Sequence, residues 1–341
     1  MARNPARRRY VDGKMTTGDA HHAPWPDDLY DQIKAHGEFL SGRLGKLTRG
    51  KQLTLVGADL TGIKLVGMNL QRTVFRGCRF YCADLRNSDF SQAVLTGCDF
   101  SGADLTNARF VWANLRGADL SRAILKGTRF ENADMRPMTD PPVPPHGKGG
   151  VVSLSETNLH NTNLSQAKLL GASFVGAILD GCILDNADLE GADFSYSTLS
   201  NVQFKTAKLH NANFHLADFP TEMLQQLQGS GAKLPKVIAP EVLEQVVQDH
   251  QTWIDTDGHK GRRAIMAGWY LARAHLVQAN LNGADLRQAN LSNANLHGAR
   301  LICSDLRDSN LMHANLTDAD LRGALIEGSR GLPVVLNDKK N

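Results

Sequence analysis

Large apolar residues recur along this chain at a strict spacing of five. They run Leu60, Leu65, Leu70, Phe75, Phe80, Leu85, Phe90, Leu95, Phe100, Leu105, Phe110, Leu115, Leu120, Leu125, Phe130 and Met135. Two residues before each stands a small one. Ala58, Ala83, Ala93, Ala103, Ala108, Ala113, Ala118, Ala123 and Ala133 hold that place, and Cys78, Cys98, Ser88, Thr73 and Thr128 fill most of the rest. An amphipathic helix wants apolar residues three and four apart, and a half-buried strand wants alternation. Neither period survives so many steps of five. A coil built from five-residue sides explains the pattern. The large residue and the small one point inward, and the other three face water. The coil is narrow, so one of its two inward positions has to be small.

A second register runs Leu154, Leu159, Leu164, Leu169, Phe174, Leu179, Leu184, Leu189, Phe194, Leu199, Phe204, Leu209, Phe214 and Phe219. A third runs in leucines from Leu271 to Leu321. With four sides to a turn, residues twenty apart stack. Phe90, Phe110 and Phe130 are so spaced, as are Phe174, Phe194 and Phe214, Phe80 and Phe100, and Cys78 and Cys98. The units ADL, NADL, GADF and QANL resemble those of the pentapeptide-repeat family over about two-thirds of the chain. That resemblance implies an all-β repeat, a right-handed quadrilateral parallel β-helix. The hand comes from the resemblance alone.

The ladder breaks at RPMTDPPVPPHGKGG, residues 136–150, where prolines and glycines cannot continue a hydrogen-bonded edge. If the Phe column runs from Phe130 through Leu154 to Phe174, one turn holds 24 residues and the break is a loop on a continuous coil. Two helices are expected. One covers Asp27–Leu40, with Asp27 as its N-cap candidate; the other covers Pro240–Ile254, with Pro240 in the first turn. Their H-G-E-F-L and H-Q-T-W-I stretches align, and both lead into repeats, so the unit of helix plus coil reads as duplicated. A bare coil end exposes apolar side chains and unpaired strand edges. The helices therefore read as caps, with His36, Phe39, His250 and Trp253 as structural cap residues. The expected organisation is a disordered basic arm (1–26), a capping helix and lead-in (27–50), a long coil with its loop (51–219), and a closing helix and linker (220–239). A second capping helix (240–267), a second coil (268–326) and a tail (327–341) follow.

Composition adds limits. The 341 residues carry a net charge of +3, too small to name a partner. The start, MARNPARRRY, is basic with no apolar stretch behind it, so no secretory signal is expected; Met15 is an alternative start. No run is long and apolar enough to predict a membrane span. A cytoplasmic protein is expected. Five cysteines without a C-x-x-C pair argue against a disulfide framework and a zinc site, and they read as small residues in packed positions. There is no phosphate loop, no nucleophile elbow and no H-E-x-x-H. Paired acids such as Asp185 and Asp188 fall at outward positions. No catalytic site, cofactor or metal is expected, so the chain reads as a non-enzyme.

Charge along the coil is more telling. Residues 51–136 hold twelve Lys/Arg against eight Asp/Glu, residues 152–219 hold three against seven, and residues 268–326 hold five of each. Stacking by twenty places Arg76, Arg116 and Arg136 on one outward column, with Thr96 between, and Arg109 and Arg129 on another. These arginines, with Pro142, Pro144 and His146 of the loop, are the candidate partner-binding residues. The expected function is a protein-binding scaffold or adaptor whose protein partner is not specified. The resemblance also implies a DNA-mimicking regulator of DNA gyrase, as in quinolone resistance, and a secretion-system effector or adaptor. The basic first array opposes mimicry of a polyanion. A homodimer through a coil end is a further arrangement the resemblance implies.

Overall fold

The computed structural model describes residues 8–11, 14–17, 28–41, 50–138 and 150–332. By internal contacts the chain divides into two units. The first comprises residues 1–213 and 219–232, and the second 214–218 and 233–341.

In the first unit, β1 (Arg8–Val11) and β2 (Lys14–Thr17) pair antiparallel, Arg8 opposite Thr17 and Val11 opposite Lys14. This corrects the expectation of a disordered arm for those residues. The sequence between them, Asp12-Gly13, is the two-residue composition that hairpins favour. Helix α1 runs Leu29–Ser41, and Gln32 holds Asp28 through both its backbone N–H and its side chain. The N-cap candidate Asp27 lies outside the described residues.

The coil begins with β3 (Thr54–Val56), which pairs parallel to β4 (Val74–Arg76), Leu55 against Phe75. Parallel bridges then recur at a spacing of twenty: Asp59 with Arg79, Asp84 with Asp104, Asn114 with Asp134. Four five-residue sides per turn are thereby established. The large ladder is buried throughout, and the small residues two before it are buried beside it from Cys78 to Val202. Phe80 and Phe100 stack with centroids 4.9 Å apart and planes 3° from parallel. Phe90 and Phe110 lie at 5.0 Å, Phe110 and Phe130 at 4.9 Å, and Phe174 and Phe194 at 4.6 Å. Neighbouring columns meet edge to face, as Phe90 does Phe100 at 6.3 Å and 79°. Both geometries are favoured by the ring quadrupole.

Not all three remaining positions simply face water. The second residue after nearly every large one takes a left-handed conformation and turns the corner. Gly62, Gly67, Asn87, Gly97, Gly102 and Asn107 lie there with φ between 58° and 67°. Glycine meets that conformation without strain, and Asn tolerates it better than most residues.

The coil passes the proline-rich segment without losing its ladder. Asp119 bridges Ser153, Ile124 bridges Asn158, Arg129 bridges Asn163 and Asp134 bridges Lys168. The turn there spans 34 residues, not the 24 expected from the Phe spacing. Leu164 thus follows Phe130, and Leu154 follows Leu120. Met138 and Gly150 close the base of the segment by an antiparallel bridge. Helix α2 is a single turn and a half at Met223–Leu227, within the segment 220–239 where a closing helix is expected, and buries Met223 and Leu227.

The second unit contains β5 (Lys236–Val237), α3 (Pro240–Asp255, with Pro240 in the first turn) and β6 (Trp269–Tyr270), β5 pairing parallel to β6. Its coil repeats the twenty-residue bridges from Ile265–Asp285 to Asn310–Arg330. The core is mostly leucine and alanine, with Met266 and Trp269 beside them, and Leu243, Val246 and Val247 of α3 pack against it. Residues 214–218 belong here and not to the long coil, where the ladder alone had put them. Asn290 and Asn310 donate their side-chain amides to the carbonyls of Ala217 and Leu216 at 2.7 and 2.9 Å. Arg273 and Asn293 both hold Asp218 at 2.6 Å.

Candidate functional site

The residues with chemistry on them are mostly used by the coil itself. The Asp or Asn before each large residue accepts the backbone N–H two residues on. Asp99 Oδ1 takes Ser101 N at 2.9 Å, Asp104 takes Thr106 N at 3.0 Å, Asp119 takes Ser121 N at 2.9 Å, and Asn290 takes Ser292 N at 3.0 Å. This is the local side-chain turn for which Asp and Asn are favoured. It gives the repeat its Asp/Asn preference, so these carboxylates are structural acceptors.

Arginine two residues after such an Asp folds back on it. The forks Arg86–Asp84, Arg136–Asp134, Arg287–Asp285, Arg307–Asp305 and Arg322–Asp320 each place two nitrogens on the carboxylate, the closest at 2.7 to 2.8 Å. Arg86, Arg287, Arg307 and Arg322 beside their aspartates hold Asp84, Asp285, Asp305 and Asp320 below the usual carboxylate range. For Asp134, burial pushes up, but the Arg136 side chain and N–H outweigh it and the carboxyl is also lowered.

The candidate arginines fall on two neighbouring outward columns. Gly77 and Gly97 donate to the carbonyls of Thr96 and Arg116, and Gly117 to that of Arg136, which stacks Arg76, Thr96, Arg116 and Arg136. Arg109 bridges Arg129. Their side chains are engaged in place: Arg109 with Asp89 at 3.5 Å, Arg129 with Glu131 and Arg136 with Asp134 at 2.7 Å, and Arg116 with Pro137 O at 3.4 Å. Pro142, Pro144 and His146 lie outside the described residues.

The two helix histidines form the best-defined polar device. His36 is fully buried on α1. Its Nδ1 accepts Leu53 N–H at 3.1 Å, and its Nε2 lies 2.9 Å from the carbonyl of Gln71. Elsewhere in the coil the N–H corresponding to Leu53 donates to the carbonyl three residues earlier, as Thr73 does to Leu70, and the carbonyl corresponding to Gln71 accepts from the preceding turn, as Ser91 does from Arg72. At the first rung the imidazole supplies both partners, which requires the neutral ring with hydrogen on Nε2. His250 of α3 repeats half of the arrangement: it is fully buried and its Nδ1 accepts Ala264 N–H at 3.1 Å, while its buried Nε2 makes no hydrogen bond. Burial lowers the pKa of both rings. The carbonyl side of Gln71 and of Asn282 opposes that shift, and Arg72 and Arg263 add to it. Phe39 stacks on His36 at 5.7 Å and Trp253 on His250 at 5.5 Å.

The cysteines divide. Cys78, Cys98 and Cys182 are buried in the small inward position, and burial drives the Cys98 and Cys182 thiols up. Cys82 and Cys303 are exposed at left-handed corners, against the expectation that all five are packed. In the second unit a cavity of about 500 Å³ is lined by His215, Gly268, Arg287 and Arg307, both arginines already being tied to aspartates. Among the described residues no group of His, Cys, Asp or Glu is placed to hold a metal ion, and no helix is long and apolar enough to cross a membrane. One outward residue that sequence reasoning passed over is Trp112, 63% exposed at a left-handed corner.

Among solved structures the chain is similar to HetL, a pentapeptide repeat protein involved in heterocyst differentiation regulation from the cyanobacterium Nostoc sp. strain PCC 7120. The two are 24% identical over 88% of this chain and 97% of that one, with a TM-score of 0.21. It is also similar to trypsin-treated QnrB1, a plasmid-mediated fluoroquinolone resistance protein, at 20% identity over 59% and 96% with a TM-score of 0.22. Rfr23, a pentapeptide repeat protein from the cyanobacterium Cyanothece 51142, is 24% identical over 36% and 85%, with a TM-score of 0.18. No curated protein matches. The family profile described as pentapeptide repeats matches in eight copies, over residues 55–92, 83–122, 113–136, 152–186, 187–220, 270–302 and 289–328. These segments make up more than half of the chain and coincide with its bridged turns, and the chain belongs to the pentapeptide-repeat family.

Proposed function

We propose that this chain is a non-enzymatic scaffold or adaptor that binds protein partners along the outward columns of its coils. The observation that carries this is how the rung uses its residues. The two inward positions fill the core, the Asp or Asn position holds the turn, and the remaining outward side chains are left to vary on a regular lattice. Extended repeat surfaces of this kind suit macromolecular partners. We read α1 and α3 as caps on the first rung of each coil, α2 as a closing element, and the hand of the coil as right, as the family resemblance implies. The proline-rich segment 136–150 is a second contact region. The test is site-specific photo-crosslinking from outward positions of both coils in the cells that make the protein, with and without that segment. Discrete protein adducts are expected, and their absence from every outward position would overturn the scaffold.

DNA gyrase is the partner that the family resemblance puts forward. The excess of arginine and lysine over acids in residues 51–136 speaks against polyanion mimicry there. A supercoiling assay with quinolone decides it: neither inhibition nor drug protection is expected.

A further inference from the structure

Among the described residues Trp112 is the one tryptophan in the left-handed conformation, with a φ of 61° that costs a side chain strain. Arg72, Arg122 and Tyr196 share that conformation, but the ring of Tyr196 is half-buried. The corner positions that precede and follow it along the chain are Asn107 and Gly117, and the next turn places Asn132 on the same column. The indole gains no burial in return, being 63% exposed. Tyr81 differs, since its ring has the Arg79 guanidinium over it at 5.1 Å. A strained and exposed tryptophan points to a use outside the fold.

Its surroundings narrow that use. The corner separates the Arg109–Arg129 column from the column that holds Arg76, Arg116 and Arg136. The four stacked segments 69–76, 89–96, 109–116 and 129–136 carry six arginines against Asp89, Glu131 and Asp134. Most of the excess positive charge of the first coil is therefore on this one edge. Val111 precedes the indole, and half-buried Val94 stands on the neighbouring column, so the cationic edge has an apolar centre. Tryptophan and arginine are the residues that dominate binding hot spots.

We infer that the Trp112 corner is a docking site for an acidic protein segment, which seats an apolar side chain on the indole and its carboxylates on the flanking arginine columns. This rests on the scaffold reading and names its partner class. Single-stranded nucleic acid is less well matched. Such binders stack successive bases on several aromatics, whereas Gln92 and Asn132 occupy the same column above and below Trp112, and three carboxylates are interleaved with the arginines.

The test is selection of a random displayed peptide library on the full chain, followed by fluorescence anisotropy of the enriched peptides against wild type, Trp112→Asn and the pair Arg109→Glu, Arg129→Glu. Asparagine already serves at other corners, so W112N is expected to melt at or above the wild-type temperature. Enriched peptides are expected to be acidic with an apolar residue, to bind W112N at least tenfold more weakly, and to weaken as salt rises. Neutral or basic enriched peptides, or equal affinity for W112N, would overturn the inference. So would Trp112-dependent binding of oligothymidylate in their place, or self-association of the chain lost in W112N by sedimentation velocity. In those cases crosslinked partners captured equally by W112N leave the scaffold standing, and only absence of adducts from every outward position removes both.

Discussion

The two coils share a rung and differ in what fills it. Both advance by four five-residue sides, turn their corners in the left-handed conformation and begin under a buried histidine. The first packs columns of phenylalanine face to face, whereas the second is leucine on leucine from Leu271 to Leu311. Ring stacking is therefore an addition to the coil and not a condition of it. What both coils keep is the steric rule of one large and one small inward residue, and the polar closure of the first edge.

The largest effect is expected where the rings stack. Phe110 is fully buried between Phe90 and Phe130. Phe110→Ala removes the ring and leaves a cavity, for a loss of about 3–5 kcal/mol. Leu296→Ala in the second coil is expected at about 2–5 kcal/mol by the same reasoning. Phe110→Leu isolates the stacking, roughly 0.5–1.5 kcal/mol for each of its two partners. Hydrogen exchange in each coil reads these locally, as stability in a repeat protein is nearly a sum of neighbouring terms. If F110L exchanges like wild type, the difference in core filling has no energetic meaning.

The next effect concerns what the coils share. His36→Ala leaves Leu53 N–H and the Gln71 carbonyl without their imidazole partner. A buried group left unsatisfied costs about 1–3 kcal/mol. Faster exchange is expected at residues 53–74 in H36A and at 264–290 in H250A, with the rest of each coil unchanged. Acid should do the same reversibly. The folded pKa of both rings lies below the ordinary 6.5, so the opened rung binds the proton more readily than the closed one. Closure is then fully stable above pH 6.5 and is lost as pH falls through the lowered folded value. Loss that begins only as pH falls through the ordinary carboxylate range would place the sensitivity in the Arg-paired aspartates, whose folded values lie lower still.

These experiments separate what the sequence states from what it leaves degenerate. The period of five, the four sides and the place of α3 are all written in Leu, Phe, Ala and Pro240. The length of the irregular turn is not. All four sides carry the same inward pattern, so the ladder resuming at Leu154 could follow Leu120 or Phe130 equally well. Only the bridge from Asp119 to Ser153 decides it. The histidines stood out in the sequence from their place in two aligned helices. Their pairing with Leu53 and Ala264 was not, because it depends on which N–H the missing rung leaves open. Trp112 had a signal in plain view, an aromatic residue in a column with Arg72, Gln92 and Asn132, but that signal has meaning only once the corner is known to be left-handed.

Surface charge is expected to matter less. Arg287 reaches both Asp285 and Asp305, whereas the Arg136 fork is confined to Asp134. All of these arginines are about half exposed, so alanine at either position is expected to cost at most about 1 kcal/mol, less at high salt. R287A should exceed R136A at low ionic strength. Equal values in urea titrations would mean that the link between turns adds nothing to the local fork.

The smallest effect should come from making the first coil as uninterrupted as the second. The irregular turn has fourteen residues more than the regular twenty. Deleting residues 137–150 removes that number and brings Val151 to a corner position directly after Arg136. A β-branched residue is poorly suited to positive φ, so Val151→Gly accompanies the deletion. Val152 then takes the small inward place, Ser153 the turn-holding one and Leu154 the large one. The bridges on either side already exist, and loop-closure entropy grows only slowly with length. The melting temperature is therefore expected to stay within about 2–4 °C of wild type, the shift that roughly 1 kcal/mol produces in a domain of this size. A deletion variant that unfolds would show that the Met138–Gly150 bridge supports the coil. One that folds normally but loses a crosslinked partner would assign the segment to binding.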